Sequence, residues 1–518
     1  MFLEQISNEV ESWKNDSAPF ISDPLNGRFM PRSVAYGFVH LLMDRFFLLK
    51  DKHDRKPVIG FCFNDPKNWI LTTVAAQLAG VIAVPIPREF TLRQISSFVP
   101  NLDLVLTDSV EATDRLGSLF ESKAEARTLS LGNLHLHELE TQIPQGAQLK
   151  LPSDAVVVIH TSGSTDNPKG VVVSERGLWC VIETMRDRMR PLKNVHYASV
   201  LPMSLLLEQV LGVFIPVMTK GSVSVLPSET DCYTGTQSSL DLYIATIQRS
   251  EANFSMVPPS FLAELCKLAQ VSMKEPRCYL GQKLQVLATG GAPIDRACLE
   301  YLKNHGLEVF QGYGLSENTS VVAWTYPGPN SLGSVGQPLA HNKVRISNDG
   351  RIEVSGPSVF LGYVSGGSFR PREGDWLDTG DNGYFDNDGC LHVTGRDSNL
   401  IVLSSGRNVA PEWIESKFKA IPSVKEVLVI GHGRPFLSAL VLVDKGYSCE
   451  NALSELEQFA KQIENEIPDF SRIRKFHALP FNDRYYSVSG RVLRKQVLES
   501  HKDAVEEIYF SAKQGSEQ

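Results

Sequence analysis

The chain has 518 residues and a formal net charge of −8, from 51 lysines and arginines against 59 aspartates and glutamates. Its 42% hydrophobic and 21% charged residues exclude an intrinsically disordered chain, and its length favours two or more domains. The acidic balance argues against general affinity for nucleic acid or anionic membranes, so an anionic ligand would need a local site.

Cysteines and apolar runs exclude further classes of protein. The 8 cysteines include no Cys-x-x-Cys pair, which argues against a zinc site or a disulfide scaffold and favours a reducing compartment. The N-terminus carries acids where a signal peptide needs a basic start, and no apolar run reaches the roughly 18 residues that span a bilayer. The nearest run, 205–218, is broken by Glu208, Gln209 and Pro216. We therefore expect a cytoplasmic protein without a transmembrane segment.

Strands and helices alternate from Pro57 onward. The pattern predicts strands at 58–63, 81–85 and 104–106, with helices at 69–79 and 91–99 between them. This βαβαβ order predicts a parallel sheet with helices on its faces. The segment 109–151 is polar and less periodic, and we interpret it as a lead-in to the loop that follows.

Residues 156–173 read VVVIHTSGSTDNPKGVVV, which predicts a strand, a polar loop and a second strand. The loop offers hydroxyl and N–H donors with one cation, Lys169, and successive backbone N–H groups can wrap a polyphosphate. It is not a Walker A loop, because Lys169 is followed by Gly170 and a strand rather than by Ser or Thr and a helix. The alternative is a mobile surface hairpin without a ligand, since these are ordinary turn residues.

The alternation continues beyond the loop. Helices are predicted at 177–187 and 239–250, and strands at 223–226 and 286–288. TGGAP (289–293) follows a strand end, which is where ligands bind in open α/β sheets. VFQGYGLSENT (309–319) places Tyr313 between two glycines and Glu317 shortly after. An aromatic face can stack on a nucleobase, and a carboxylate can hold Mg²⁺.

The remainder of the chain predicts two further units. Residues 334–394 form a β-rich subdomain around DWLDTGD (375–381). The segment Gly395–Ser398 is the expected boundary, giving domains 1–394 and 395–518. The second unit, of about 120 residues, is large enough for a separate α+β domain. Its predicted strands are 400–403, 424–430 and 437–443, and its predicted helices are 412–420 and 451–467.

Five motifs resemble those of the adenylate-forming enzymes, which include acyl-CoA synthetases, peptide-synthetase adenylation domains and luciferases. They are TSGSTDNPKG, TGGAP, QGYGLSENT, DWLDTGD and GRDSNLIVLSSGRNVAPEWIE, and they occur in the family's order. LPMSLLLEQ (201–209) and LSSGRNVAPEWIE (403–415) are most similar to long-chain fatty acyl-CoA synthetases. The resemblance implies an α/β fold with a large N-terminal domain, made of parallel sheets with helices plus a β-rich subdomain, and a small mobile α+β C-terminal domain.

The resemblance also implies a two-step reaction. A carboxylate would attack the α-phosphate of ATP, giving an acyl-adenylate and pyrophosphate. A thiol of CoA or of carrier-protein phosphopantetheine would then displace AMP. Between the steps the small domain would rotate at a hinge near Ser398.

The resemblance assigns roles residue by residue. The pyrophosphate part of ATP would be held by Thr161, Ser162, Gly163, Ser164, Thr165 and Lys169. Mg²⁺ would lie near Thr165 and Glu317. The adenine would be lined by Gly290, Gly291, Ala292 and Tyr313, with Gly314 also in the nucleotide site. Asp381 would accept bonds from the ribose hydroxyls, Arg396 would donate to ribose or phosphate, Ser316 would touch the α-phosphate, and Gly406 would border the pantetheine tunnel. Without the resemblance, Asp381 would be interpreted as a turn cap, Arg396 as a linker brace and Tyr313 as core.

One departure from the family lies at Arg491, in SVSGRVLR (487–494). It aligns with a lysine that in relatives stabilises the carboxylate and the α-phosphate. Arginine keeps the charge but presents a planar donor fork instead of a point charge. Three alternatives stay open: Arg491 replaces the lysine as a catalytic group, Lys495 reaches in instead, or adenylation is weak and the protein is a slow enzyme or a nucleotide-binding pseudoenzyme.

Further positions leave the substrate open. Leu205 stands where relatives often have histidine, and Asp166 stands where glycine is usual, so its carboxylate would repel a polyphosphate unless it faces solvent or a metal. Trp324 fits the acyl pocket or the core. Basic residues could meet CoA or an acidic carrier protein, or form a solvated face; they are Arg472, Arg474, Lys475, Arg494 and Lys495. We expect a medium- or long-chain fatty acid, with an aryl, amino or unusual acid for a carrier protein as the alternative, and the oligomeric state is open.

Overall fold

The computed structural model describes residues 2–52, 54–119, 126–131, 134–140, 149–161, 168–228, 230, 237–327, 332–404, 407–464, 467–486 and 492–514. The helices are α1 (Phe2–Ser12), α2 (Arg32–Lys50), α3 (Pro66–Ala79), α4 (Leu92–Ser96), α5 (Val110–Gly117), α6 (Glu175–Arg188), α7 (Leu206–Gln209), α8 (Ile215–Met218), α9 (Gln237–Ser250), α10 (Pro259–Ser272), α11 (Arg277–Leu280), α12 (Arg296–Asn304), α13 (Pro411–Phe418), α14 (Cys449–Gln462), α15 (Arg494–Ser500) and α16 (Lys502–Gln514).

The strands of the N-terminal half are β1 (Pro19–Asp23), β2 (Arg28–Pro31), β3 (Val58–Cys62), β4 (Ile82–Pro85), β5 (Leu104–Thr107), β6 (Ala126–Leu131), β7 (Leu134–Glu140), β8 (Ala155–Thr161), β9 (Lys169–Ser174), β10 (His196–Ser199), β11 (Ser222–Val225) and β12 (Phe254–Val257). Those that follow are β13 (Val286–Gly290), β14 (Val309–Tyr313), β15 (Ala323–Trp324), β16 (Gln337–Pro338), β17 (Lys343–Ile346), β18 (Arg351–Ser355), β19 (Gly362–Ser365), β20 (Ser368–Pro371), β21 (Leu377–Phe385), β22 (Leu391–Arg396), β23 (Ile401–Val402), β24 (Asn408–Val409), β25 (Val424–Ile430), β26 (Leu437–Val443) and β27 (Ile473–Pro480).

Two large mixed sheets form the N-terminal domain. Within the described residues each has nine strands, in the orders β16-β15-β14-β13-β12-β10-β11-β1-β2 (the first sheet) and β20-β19-β9-β8-β4-β3-β5-β7-β6 (the second sheet). Neighbours from β11 through β14 in the first sheet, and β5, β3, β4 and β8 in the second, run parallel, while the edge strands are antiparallel. Parallel strands are buried on both faces, which explains their continuous apolar runs. The predicted α/β architecture is confirmed.

The α3 helix illustrates how the sequence builds this layer. Asp65 precedes it and accepts a hydrogen bond from the backbone N–H of Lys67, Pro66 starts it, and Gly80 ends it at φ 66°. Apolar residues surround the helix because it packs against both α2 and the second sheet. Strong caps and complete burial are why the sequence predicts this helix well.

The segment 109–151 differs from the prediction. It contains α5 and the antiparallel β6–β7 pair, whose β7 extends the edge of the second sheet beside β5. These are surface elements with polar outer faces, so their sequence lacks the apolar period of the buried ones. Two predicted helices are also too long, since α4 ends at Ser96 and α14 ends at Gln462.

The chain continues into a four-stranded sheet, β17-β18-β21-β22, and then into the small C-terminal domain. In that domain β26 pairs with β25 antiparallel and with β27 parallel, and α13 and α14 pack on the sheet. This confirms the predicted α+β class, while the boundary at 394/395 stays a prediction. None of the helices in the described part of the chain combines the length and apolar character that crossing a bilayer requires.

A buried acid lies beside the LPMSLLLEQ segment. Glu208 is completely buried, and the two oxygens of its carboxyl group accept hydrogen bonds from Tyr197 (2.8 Å) and Ser199 (2.6 Å). It precedes a π-helical turn, Val210–Phe214, which interrupts the helix from α7 to α8. Burial raises the pKa of Glu208 from 4.5 to about 8, although both hydroxyls oppose the shift, so the side chain is largely protonated at neutral pH.

We expect Glu208 to make the folded state less stable as pH rises. The folded acid keeps its proton up to a pKa of about 8, whereas the unfolded acid releases it near 4.5. The free energy of unfolding therefore falls with pH across this window, by about 1.4 kcal/mol per pH unit from this group. Urea unfolding of the wild type and of Glu208→Gln between about pH 5 and pH 8 measures the slope. Equal slopes in both proteins would contradict the assignment.

Candidate functional site

The motif residues lie on, or directly after, strands of three different sheets. β13 and β14 end at Gly290 and Tyr313, and the turn that follows β14 carries Glu317. Lys169 begins β9, in the second sheet. Asp381 belongs to β21, in the four-stranded sheet. Residues that are far apart in sequence are thus grouped at one junction of the N-terminal domain, where crevices that bind ligands are expected.

The phosphate-loop motif forms the predicted strand pair. β8 and β9 are antiparallel, with Thr161 opposite Lys169. The Lys169 side chain is exposed, and its Nζ lies 5.6 Å from the centroid of the Tyr363 ring. The loop residues assigned to phosphate and metal binding lie outside the described residues, as does the side chain of Thr161; they are Ser162, Gly163, Ser164 and Thr165, together with Asp166.

Glu317 occupies a tight turn, Ser316–Asn318, directly after β14. Its Oε1 accepts a hydrogen bond of 2.9 Å from the Tyr363 hydroxyl, and its backbone carbonyl accepts one of 2.8 Å from Phe360 N–H. In the described part of the chain, Oε2 accepts no hydrogen bond. Ser316, the predicted α-phosphate contact, is half-buried in the same turn.

The chemistry around Glu317 fits Mg²⁺ bound together with a nucleotide. Mg²⁺ prefers oxygen ligands and usually takes one or two carboxylates plus substrate phosphates and water. The described residues contain no group of three or more His, Cys, Asp or Glu that could hold a metal alone. A single carboxylate with one oxygen available therefore suits a metal that arrives with phosphates.

The turn that carries Glu317 is held in a strained shape. Thr319 and Ser320 adopt positive φ angles of 48° and 90°, which cost about 1–3 kcal/mol each for such residues. Buried hydrogen bonds hold them, because Ser358 donates to Asn318 Oδ1 at 2.9 Å and accepts at its carbonyl from Thr319 Oγ1 at 2.6 Å. The surrounding structure thus fixes the backbone position of Glu317.

Tyr313, Asp381 and Arg396, which are predicted to contact adenine and ribose, are joined by hydrogen bonds. The buried Asp381 accepts a bond of 2.6 Å from the Tyr313 hydroxyl at Oδ2 and one of 2.9 Å from Arg396 Nε at Oδ1. Burial and the nearby Asp381 raise the pKa of Tyr313, so its phenol stays neutral and donates. Ribose hydroxyls that bind Asp381 would therefore share it with, or displace, these two donors. This contact of Tyr313 is one that the motif did not predict.

Two glycines of the motifs are required by close backbone approaches. A Cβ at Gly290 would lie 2.6 Å from the carbonyl oxygen of Gly312, and one at Gly314 would lie 1.6 Å from that of Ser320. Gly291 and Ala292 follow in an exposed turn. The glycines thus permit β13, β14 and the Glu317 turn to pack without side chains between them.

The C-terminal cations differ in their surroundings. Arg491 and Gly406 lie outside the described residues. Lys495 is exposed on α15 and lies 3.9 Å from Glu499. Arg494 is mostly buried, 2.5 Å from Glu415, and also donates to the Val429 carbonyl. Neither alternative for Arg494, a contact with CoA or a carrier protein or a solvated face, fits the structure, because its guanidinium is bonded inside the domain.

The remaining members of the basic cluster also have partners. Arg472 pairs with Glu464 (2.5 Å) and Asp469, Arg474 pairs with Asp469 (2.8 Å), and Lys475 donates to the Ile508 carbonyl. These contacts favour the alternative of a solvated face over an anion site.

The acyl-pocket positions lie in apolar surroundings. Trp324 is 3% exposed and packs near Phe254 and Tyr326, which favours a core role. Leu205 is half-buried at the start of α7. A cavity opens where β3, β4, β10 and β11 end, at their carboxyl ends, and its lining includes Phe63, Trp69, Arg88, Leu201, Met203 and Tyr243. LPMSLLLEQ thus contributes Leu201 and Met203 to an aromatic-rich wall.

Sequence comparison finds relatives that are named as fatty-acid–CoA ligases. The long-chain-fatty-acid–CoA ligase FadD15 of Mycobacterium bovis is 31% identical over 259 residues, covering 45% of this chain and 43% of that protein. The long-chain-fatty-acid–CoA ligase ACSBG2 of Gallus gallus is 25% identical over 527 residues, covering 85% of this chain and 66% of that protein. The chain thus aligns with less than half of the length of FadD15.

Comparison with solved structures and protein families agrees on the fold. The anthranilate CoA ligase AuaEII in complex with anthranoyl-AMP superimposes with a TM-score of 0.77 at 15% identity, covering 97% of this chain and 98% of that one. Residues 44–364 match the AMP-binding enzyme family, and residues 398–513 match the AMP-binding enzyme C-terminal domain. The chain therefore belongs to the AMP-binding enzyme family.

Proposed function

We propose that the protein is an AMP-forming acid–thiol ligase that activates a medium- or long-chain fatty acid and transfers the acyl group to CoA. One observation carries the proposal: the exposed cation of the phosphate-loop hairpin, Lys169, and the carboxylate Glu317 both contact one side chain, Tyr363. A cation for phosphate and a carboxylate for Mg²⁺ at one junction suit a nucleotide triphosphate.

The first step joins the acid to the nucleotide. A carboxylate oxygen of the fatty acid attacks the α-phosphorus of ATP, and the bond to the β-phosphate breaks, so pyrophosphate leaves. Lys169 and the loop residues 161–165 hold the departing phosphates, Ser316 donates to the α-phosphate, and Asp381 and Arg396 hold the ribose. Glu317 would hold Mg²⁺, which would neutralise phosphate charge when bound.

The second step moves the acyl group to the thiol. The thiol of CoA releases its proton to solvent and its sulfur attacks the acyl carbon, the bond from that carbon to the AMP oxygen breaks, and AMP leaves. We propose that Arg491 supplies the C-terminal cation of the first step. Rotation of the small domain near Ser398 then moves Arg491 out of the site and brings in the thiol channel at Gly406. Carrier-protein phosphopantetheine is the alternative acceptor.

The substrate is proposed from two observations. The relatives described above are named as long-chain-fatty-acid–CoA ligases. The cavity beside LPMSLLLEQ offers apolar side chains to an acyl chain, among them Phe63, Trp69 and Leu201, next to the charged Arg88 and Glu89. An aryl acid is the second candidate, because an anthranilate CoA ligase shares the fold. The third candidate function is a nucleotide-binding protein that does not adenylate, because Arg491 stands where relatives have a catalytic lysine. We place the reaction in the cytoplasm, as the sequence predicts.

We expect acid-dependent exchange of pyrophosphate into ATP with at least one fatty acid. The assay uses the full chain with Mg²⁺ and a panel of fatty, aryl and amino acids, and it reports the first step independently of the thiol. Thioester detection with CoA or a phosphopantetheinyl carrier then identifies the acceptor. ATP binding without exchange on any acid would contradict the ligase assignment, and exchange confined to aryl acids would replace the fatty acid by the second candidate.

A further inference from the structure

Tyr363 lies between the two charged groups of the proposed site. Its hydroxyl donates to Glu317 Oε1 at 2.9 Å, and its ring lies under Lys169, with Nζ 5.6 Å from the ring centroid. That distance is within the range of a cation–π contact. Tyr363 thus contacts Glu317 through its hydroxyl and Lys169 through the face of its ring.

The strand register explains this placement. β19 pairs with β9, and Tyr363 lies opposite Val171, two residues from Lys169. Alternate residues of a strand share one face, and cross-strand and diagonal neighbours on that face are in reach of each other. Sheet pairing therefore directs the ring of Tyr363 to the face of the hairpin from which Lys169 projects.

Lys169 and Glu317 carry opposite charges and share a neighbour, yet no ion pair joins them in the described part of the chain. Glu317 is bound instead at one oxygen by the neutral hydroxyl, and Lys169 rests on the ring. The phenol of tyrosine is neutral at neutral pH, so the hydroxyl keeps its proton and stays a donor. Neither charge is cancelled by the other.

We propose that Tyr363 is a positioning residue that separates Lys169 from Glu317 and aims each of them, so that the lysine stays available to phosphate and the carboxylate to Mg²⁺. The inference rests on the proposed function, since it gives Tyr363 the task of positioning the phosphate-binding and Mg²⁺-binding groups of that site. Tyr363 acts through its neighbours and touches no reacting atom. Its two contacts are separable, because phenylalanine removes the hydroxyl and leucine removes hydroxyl and ring.

The test measures ATP binding by calorimetry, in excess Mg²⁺ and in EDTA, with the full chain. We expect Tyr363→Phe to bind ATP in EDTA like the wild type, because the phenyl ring still contacts Lys169. The same variant loses Mg²⁺ enhancement of binding by about 10-fold, a typical cost of removing a partner that orients a metal ligand. Tyr384→Phe is the matched control, since this tyrosine is 51% exposed, stacks on His392 and has no hydrogen-bonded hydroxyl among the described residues.

Leucine tests the separation of charges. We expect Tyr363→Leu to weaken ATP binding in EDTA as well, by about 10-fold, because Lys169 then pairs with Glu317 at close range. The double variant Tyr363→Leu/Glu317→Gln recovers that binding, since the competing charge is gone. General damage to the fold would not be repaired by the second substitution.

Two results would overturn the inference: wild-type Mg²⁺ enhancement in Tyr363→Phe, or no recovery in the double variant. If Tyr363→Leu does not fold, as judged by its thermal transition, the phenylalanine variant decides alone. The failure of the proposed function is distinct, because a wild type that binds ATP but exchanges pyrophosphate with no acid disproves the ligase while the binding comparisons still judge Tyr363.

Discussion

Replacing Lys169 by alanine is expected to reduce acid-dependent ATP–pyrophosphate exchange by about 10²–10³-fold, the usual loss when one preorganised group that stabilises developing charge is removed. Lys169 is exposed at the first residue of β9, directly after the phosphate loop, and makes no ion pair in the described part of the chain. In the proposed reaction its charge acts on the phosphates that leave. The initial rate of exchange at saturating acid and ATP measures the effect.

A matched lysine distinguishes loss of a site charge from loss of any surface charge. Lys274 is exposed in the turn after α10, outside the motifs, and the same substitution there removes the same charge. We expect Lys274→Ala to exchange like the wild type. The thermal transition of Lys169→Ala should match the wild type, because an exposed side chain contributes little to stability. Similar rates in both variants would show that Lys169 does not act on phosphate.

The sequence predicted the elements that are buried and could not predict the contacts between them. β-Branched runs such as 156–159 and 171–173 identify strands because both faces of these strands are covered. The sequence did not predict α5 and β6–β7, because polar residues on the exposed faces of these elements obscure the apolar periodicity that identifies a helix or a strand. The motifs predict Glu317 and Asp381 as site residues by type and order, since a few glycines and carboxylates at fixed spacing carry that information.

Long-range partners explain what was missed in the site. Tyr363 lies 46 residues from Glu317 and Ser358 lies 40 residues from Asn318, and neither pair has a local sequence signature. Their meeting depends on the pairing of β19 with β9, which sets the register of a whole sheet edge. A pattern of short antiparallel strands predicts that such pairing exists but leaves open which side chains face one another.

Arg494 shows the same limit for a charged residue. Its partner Glu415 lies 79 residues earlier, so the adjacent Arg494 and Lys495 look alike in sequence. In the structure α15 turns Arg494 toward the sheet, with 19% of its side chain exposed, and leaves Lys495 72% exposed. The orientation of α15 thus gives Arg494 a structural role and leaves Lys495 in solvent. The two residues should therefore differ in their contribution to the free energy of unfolding.

We expect Arg494→Met to lower the free energy of unfolding by about 3–5 kcal/mol near neutral pH, because removal of one partner leaves a buried charge without its counter-ion. Glu415 has 11% of its side chain exposed and accepts bonds from Arg494 and from the Val429 N–H (2.7 Å). Burial raises the pKa of Glu415 and Arg494 opposes that shift, so the variant raises this pKa further. The loss therefore shrinks as pH falls through the folded-state pKa of the variant and then that of the wild type, both of which lie above 4.5, because the buried acid is then protonated in both proteins.

Calorimetric unfolding of the full chain at several pH values checks this dependence against two further variants. Lys495→Met removes a neighbouring cation whose surface pair with Glu499 contributes at most about 0.5 kcal/mol, so its transition should hardly move. Arg494→Met/Glu415→Leu removes both charges and should recover most of the lost stability, since an apolar pair can replace a buried ion pair at little cost. A loss of stability that is equal for Arg494→Met and Lys495→Met, or independent of pH, would mean that Glu415 does not depend on Arg494 for its charge.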